Sequence, residues 1–112
     1  MHHAGSIRAI ITDDEPISLL LLKAMTESLA LETFEATNVA GARRLLSEAI
    51  PHIAILDILL PDGDGVDILR GIRRAKLPTA IALITSTLEE FPFHKCGDFV
   101  PDVFSKSRWT RR

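Results

Sequence analysis

The chain has 112 residues, 46% of them apolar and 25% charged, a length and balance that suit one folded domain and exclude a disordered chain. A formal charge of −2 gives no electrostatic case for nucleic acid, even with Lys106, Arg108, Arg111 and Arg112 gathered near the end as a short basic tail. Cys96 is the single cysteine, which removes any intrachain disulfide and makes the cytoplasm the expected compartment; no segment approaches the roughly 20 apolar residues that span a bilayer, so no membrane association is expected.

One domain over residues 1–112 is therefore expected, with 1–6 disordered and 107–112 a tail. His2 and His3 are assigned no function. Residues 7–12 (IRAIIT) are short, apolar and β-branched, which predicts a strand. It stops at Asp13-Asp14-Glu15-Pro16, where acids and a proline announce a helix whose Ile17, Leu20, Leu21, Ala24 and Leu29 fall near one face and are expected to face the core. Residues 31–37 read as a second strand. Asn38 can cap the next helix, which places Ala42, Leu45, Leu46 and Ala49 on one side.

Residues 52–56 (HIAIL) predict a third strand ending at Asp57, followed by a loop with Pro61, Gly63 and Gly65 and a helix with Val66, Leu69 and Ile72 in phase until Pro78. Residues 79–84 (TAIALI) are apolar on both faces, as a central parallel strand must be, and end at Thr85. Pro92, Gly97 and Pro101 then interrupt any long helix, leaving residues 103–105 as a last strand before Lys106.

Strands alternating with helices imply parallel pairing through right-handed crossovers, hence an open, doubly wound α/β sheet, which binds ligands at the carboxyl ends of its strands. Asp13 and Asp14, Asp57, Thr85 and Lys106 each follow one strand and are expected on one rim. Three carboxylates brought together repel one another, and a hard divalent cation such as Mg²⁺, or Mn²⁺, resolves the conflict. With the cation present a carboxylate can act as nucleophile towards phosphorus, Lys106 can pair with one phosphoryl oxygen and the Thr85 hydroxyl can donate to another. Alone, the acidic string reads as a helix start and Asp57 as a turn residue; their joint occurrence at four strand ends carries the reading.

The residues DDEP (13–16), DILLPDGDG (57–65), Thr85 closing an apolar strand and Lys106 in VFSK resemble the receiver domains of bacterial two-component response regulators. That resemblance covers residues 7–106. It implies a flavodoxin-like, five-stranded parallel sheet of order 2-1-3-4-5, a phosphoryl group accepted on Asp57 from a histidine kinase or histidine phosphotransfer protein, and signalling through binding to a downstream protein rather than turnover as an enzyme. It implies further that Asp14 and Asp57 ligate the metal directly, Asp13 mainly through water and Leu59 by its carbonyl, while Thr85 and Lys106 hold the phosphoryl group; Glu15 is left as a helix-start acid.

The sequence also departs from the family. Val103 stands where an aromatic residue is usual, with Phe104 beside it, and Ser107 stands where proline is usual. The fourth helix is expected to be disturbed and no full fifth helix is expected, so part of one sheet face should be bare and hidden in a homodimer or against a partner, with Trp109 and Phe104 as anchors. A degenerate receiver acting as a phosphorylation-independent interaction or dimerisation module is the alternative. A phosphatase of the haloacid dehalogenase type needs a second Asp two residues after the nucleophile, where this chain has Leu59. His52, His94 and Cys96 lack partners at ligand or nucleophile spacing and read as structural.

Overall fold

The computed structural model describes residues 6–86, 91–99 and 102–106. Five strands, β1 (Arg8–Thr12), β2 (Glu32–Ala36), β3 (Ile53–Asp57), β6 (Ala80–Thr85) and β7 (Asp102–Ser105), form a parallel sheet of order β2-β1-β3-β6-β7. This is the expected doubly wound order, with each strand within a residue or two of its predicted span. A two-residue hairpin, β4 (Leu59–Leu60) and β5 (Gly63–Asp64), interrupts the loop after β3. Three α-helices are described: α1 (Pro16–Ser28), α2 (Val39–Glu48) and α3 (Gly65–Arg74), with a 3₁₀ turn at Phe93–Cys96. The expectations placed on residues 1–5 and 107–112, among them the histidines, the basic tail and Trp109, lie outside the described residues.

Helices α2 and α3 cover one sheet face and build the larger core. Ala54, Leu56, Ile81 and Leu83 of the sheet meet Ala42 from α2 and Val66, Leu69 and Ile72 from α3, with Leu45, Leu46 and Val103 packed at its edge. The α2 face was thus anticipated except for Ala49, which caps the helix and is exposed. Asn38 caps α2 as expected, accepting the Gly41 N–H at 2.7 Å.

On the opposite face the smaller core consists of Ile11, Ile84 and Leu22, with Leu19 and Ile55 against it. Here the expected α1 face is overturned. Ile17 and Leu20 are 62% and 63% exposed, Leu21, Ala24 and Leu29 also face solvent, and the buried residues are Ser18, Leu22 and Thr26. Burial of the two hydroxyls is tolerable because both are bonded: Thr26 donates to the Leu22 carbonyl and meets Thr33 Oγ1 at 2.7 Å, and Ser18 donates to Glu15 at 2.7 Å. Further along that face Ala80 is exposed, Ile53 and Ala82 are half-buried and Phe104 is 51% exposed, so the sheet is only partly covered by described residues.

Helices α1 and α3 end alike. Ala30 (φ 62°) and Lys76 (φ 58°) take the left-handed conformation, with the Leu31 N–H returning to Thr26 and the Leu77 N–H to Ile72, at 3.1 and 3.2 Å. These are Schellman closures without the usual glycine. Replacing Ala30 by Gly should relieve about 1–2 kcal/mol of left-handed strain, less the entropy glycine adds to the unfolded chain. A net gain of about 0.5–1 kcal/mol in urea unfolding is expected; a loss would mean that Ala30 is not strained.

Candidate functional site

The carboxyl ends of the strands converge as the topology requires. Asp13 follows β1, held in line by its N–H bond to the Ala36 carbonyl of β2 at 3.2 Å, and its side chain is fully buried. Its Oδ1 accepts the Glu15 N–H at 2.9 Å, which turns the chain into α1. Asp14 lies exposed on the rim. Asp57 closes β3 and is buried, Thr85 closes β6 and is buried, and Lys106 directly follows β7, whose Ser105 is the register partner of Thr85. Every residue singled out for this rim lies on it.

Lys106 ties the strand ends together. Its Nζ lies 2.9 Å from Asp13 Oδ2, 3.0 Å from Asp57 Oδ2 and 3.9 Å from Glu15 Oε1. Burial pushes the Asp57 carboxyl up to about 6; the Lys106 hydrogen bond opposes this and the neighbouring Asp13 adds to it. For Lys106 burial works to lower the ammonium, but the bonds to Asp13 and Asp57 outweigh it and the net direction is upward. One ammonium therefore faces more negative charge than it can offset.

Oxygen atoms from Asp13, Asp14 and Asp57 lie within 4.8 Å of one another. Asp14 and Asp57 border a cleft of about 370 Å³ whose walls also include Glu15, Leu59, Thr85 and Lys106, with Asp13 buried behind it. Hard carboxylate oxygens with an unbalanced negative charge and one solvent-facing member fit a divalent cation that keeps part of its water shell. Glu15 was read only as a helix-start acid; its side chain makes no cap bond to the helix backbone, accepts from Ser18 and lines the cleft.

The β4–β5 hairpin forms the other wall, and its anchors were not read from the sequence. The Leu59 N–H donates to Asp57 Oδ1 at 3.3 Å, while the Leu59 side chain is 67% exposed. At the tip, Asp62 accepts the Val39 and Ala40 N–H groups of α2 at 2.7 and 3.0 Å, and these bonds hold its carboxyl below the usual range. Asp64 caps α3 in a reciprocal box with Asp67 and pairs with Lys95. The Asp64–Asp67 spacing is a recognisable capping signal; nothing local marks Asp62 or Lys95. His52 stands at the opposite end of the sheet, accepting the Arg8 N–H at 2.9 Å, and Cys96 is buried in the larger core, which pushes its thiol up.

A family model described as the response regulator receiver domain matches residues 9–99. The chain belongs to this family. Curated proteins are similar over part of their length: the response regulator protein PilR of Pseudomonas aeruginosa is 37% identical over 79 residues, which cover 70% of this chain and 18% of PilR. The transcriptional regulatory protein KdpE of Mycobacterium tuberculosis is 38% identical over 64 residues, covering 57% of this chain and 28% of KdpE. The receiver thus spans a minor part of the length of these curated relatives. In fold it is similar to a two-component response regulator from Clostridium difficile (TM-score 0.80, 22% identity, 90% and 84% of the two chains covered) and to the Francisella response regulator 1452 receiver domain (TM-score 0.77, 17% identity, 91% and 85%). Of the family departures, Val103 packs on the larger core beside an exposed Phe104, and among the described residues no α-helix lies between β6 and β7.

Proposed function

We propose that this receiver accepts a phosphoryl group on Asp57 from a phosphohistidine of a histidine kinase or phosphotransfer protein, and that it signals by binding rather than by turnover. The observation that carries the reading is the shared contact of Lys106 with Asp13 and Asp57 at the mouth of an open cleft. Asp14 and Asp57 would hold Mg²⁺ or Mn²⁺ directly, Asp13 through water, and the Leu59 carbonyl would add a further oxygen. Such a cation, when bound, offsets the charge of the incoming phosphoryl oxygens.

The chain's own residues supply the rest. One Asp57 carboxylate oxygen forms the new O–P bond while the P–N bond of phosphohistidine breaks and the imidazole leaves with the bonding pair. With its carboxyl poised at about 6, Asp57 is largely ionised at neutral pH and able to attack. Lys106, already 3.0 Å from Asp57 Oδ2, is placed to pass to a phosphoryl oxygen, and the Thr85 hydroxyl is placed on the same wall to donate to another.

Acetyl phosphate with Mg²⁺ is expected to add one phosphoryl group, seen by intact mass, and neither Asp57→Asn nor the parent chain in EDTA should gain it. A gain that persists in Asp57→Asn places the acceptor elsewhere. A parent chain that gains nothing behaves as a phosphorylation-independent interaction module.

A further inference from the structure

Resting on that reading, we infer that Asp62 is a positioning residue, clamping the β4–β5 hairpin to the N-terminus of α2 so that Leu59 and the Asp57 carboxylate stay in register for the cation. The first turn of α2 offers three N–H groups with no partner inside the helix, and they are divided between two acceptors. Asn38, the local cap, takes Gly41; Asp62, from a loop 23 residues further on, takes Val39 and Ala40, one with each oxygen. The helix start thus has its ordinary cap, and Asp62 adds a bond between two separate elements.

The hairpin transmits that bond. Asp62 sits at its tip, between Leu60 and Gly63, which pair across it, and Leu59 pairs with Asp64 one step closer to the sheet. Packing is tight at the same place: a Cβ on Gly63 would lie 3.1 Å from Val39 Cγ2, so the tip rests directly on α2. The second leg is fixed independently, Asp64 capping α3 and pairing with Lys95. Among the described residues the first leg has no cap or ion pair of that kind: Leu60 is buried in the larger core, but the Leu59 side chain is exposed. Its Leu59 N–H reaches Asp57 Oδ1, and through the tip it is tied to Asp62. Ligand-supporting contacts of this kind set the orientation of metal-binding oxygens, and losing one commonly weakens a metal site by tenfold or more.

The test compares Asp62→Ala with Asn38→Ala in the whole chain. Both remove an acceptor from the same helix turn and should lower the thermal midpoint, but only Asp62 touches the hairpin. Mg²⁺ titration by calorimetry, in about 0.15 M salt to screen charge effects beyond roughly 8 Å, is expected to show affinity about tenfold weaker in Asp62→Ala and unchanged in Asn38→Ala. The Leu59 amide resonance should move in the first variant and not in the second, with or without Mg²⁺. Asp62→Asn, which keeps one acceptor, serves if the alanine variant does not fold, with a smaller loss in the same direction. Equal affinity in Asp62→Ala and the parent, or the same loss in both alanine variants, overturns the clamp alone. A parent chain that takes up no Mg²⁺ overturns the underlying reading and the clamp with it.

Discussion

Without divalent cations, Asp57→Asn is expected to be more stable than the parent at pH 7.5 by about 1–2 kcal/mol, with the gain vanishing below about pH 4. The folded chain holds the Asp57 carboxyl at about 6 against an ordinary value of 3.8, chiefly because burial opposes the charge. A raised carboxyl contributes its full stability below the unfolded value and loses it as pH climbs through the folded one, so at pH 7.5 the whole deficit is present. At roughly 1.4 kcal/mol per pH unit the charge costs up to about 3 kcal/mol, a figure that already includes the favourable Lys106 bond, and water at the open cleft screens it towards the lower range expected. In the variant Lys106 keeps Asp13 as a partner. Urea unfolding in EDTA at several pH values gives the answer. A pH-independent difference, or a less stable variant at pH 7.5, would show that the site does not hold Asp57 against its own charge.

Gly65→Ala should cost about 1–3 kcal/mol, and Gly71→Ala in the same helix should cost nothing. A Cβ on Gly65 would stand 2.4 Å from the Asp57 carbonyl oxygen and 3.2 Å from Leu56 Cβ, both parts of β3 that cannot give way without moving the strand end. The Gly65 N–H also bonds the Ile58 carbonyl at 3.0 Å, which locks the start of α3 against that strand. Gly71 meets nothing within 4 Å, and alanine there should gain up to about 1 kcal/mol from better helix propensity. Because the clash is with Asp57 itself, Gly65→Ala should also slow phosphoryl uptake. Thermal unfolding of the two variants side by side is the check; a Gly65→Ala chain as stable as the parent would mean that α3 can back away from β3 freely.

Alternating apolar runs and helix periods were enough to give an open, doubly wound parallel sheet, because parallel strands joined by helices leave few topologies open; the strand order itself came from the receiver resemblance. The rim residues were legible for the same reason: placing the end of a strand also places the residue just beyond it. The inward face of α1 was not legible. Period identifies which residues share a side, but α1 has an apolar side and a mixed one, and the mixed one goes inward because Ser18 and Thr26 find partners in Glu15, Leu22 and Thr33. Two helix ends were obscured in a similar way, since Ala30 and Lys76 occupy a position where glycine is the usual signal. Asp62 acts only through a helix distant in sequence, so no local pattern could have marked it.

The placement of Lys106 after β7 means that the cation of the rim comes in only with the last described strand. Asp13 and Asp57 stand at the ends of neighbouring strands, and Asp14 beside them, all far upstream of Lys106. A chain that emerges and folds from its N-terminal side gathers these like charges first, and nothing on β1, β2 or β3 neutralises them. Pairing of β7 with β6 is then the event that carries the ammonium in and turns repulsion at the strand ends into attraction. The lysine that joins Asp13 to Asp57 in the finished molecule thus makes docking of the last described strand favourable.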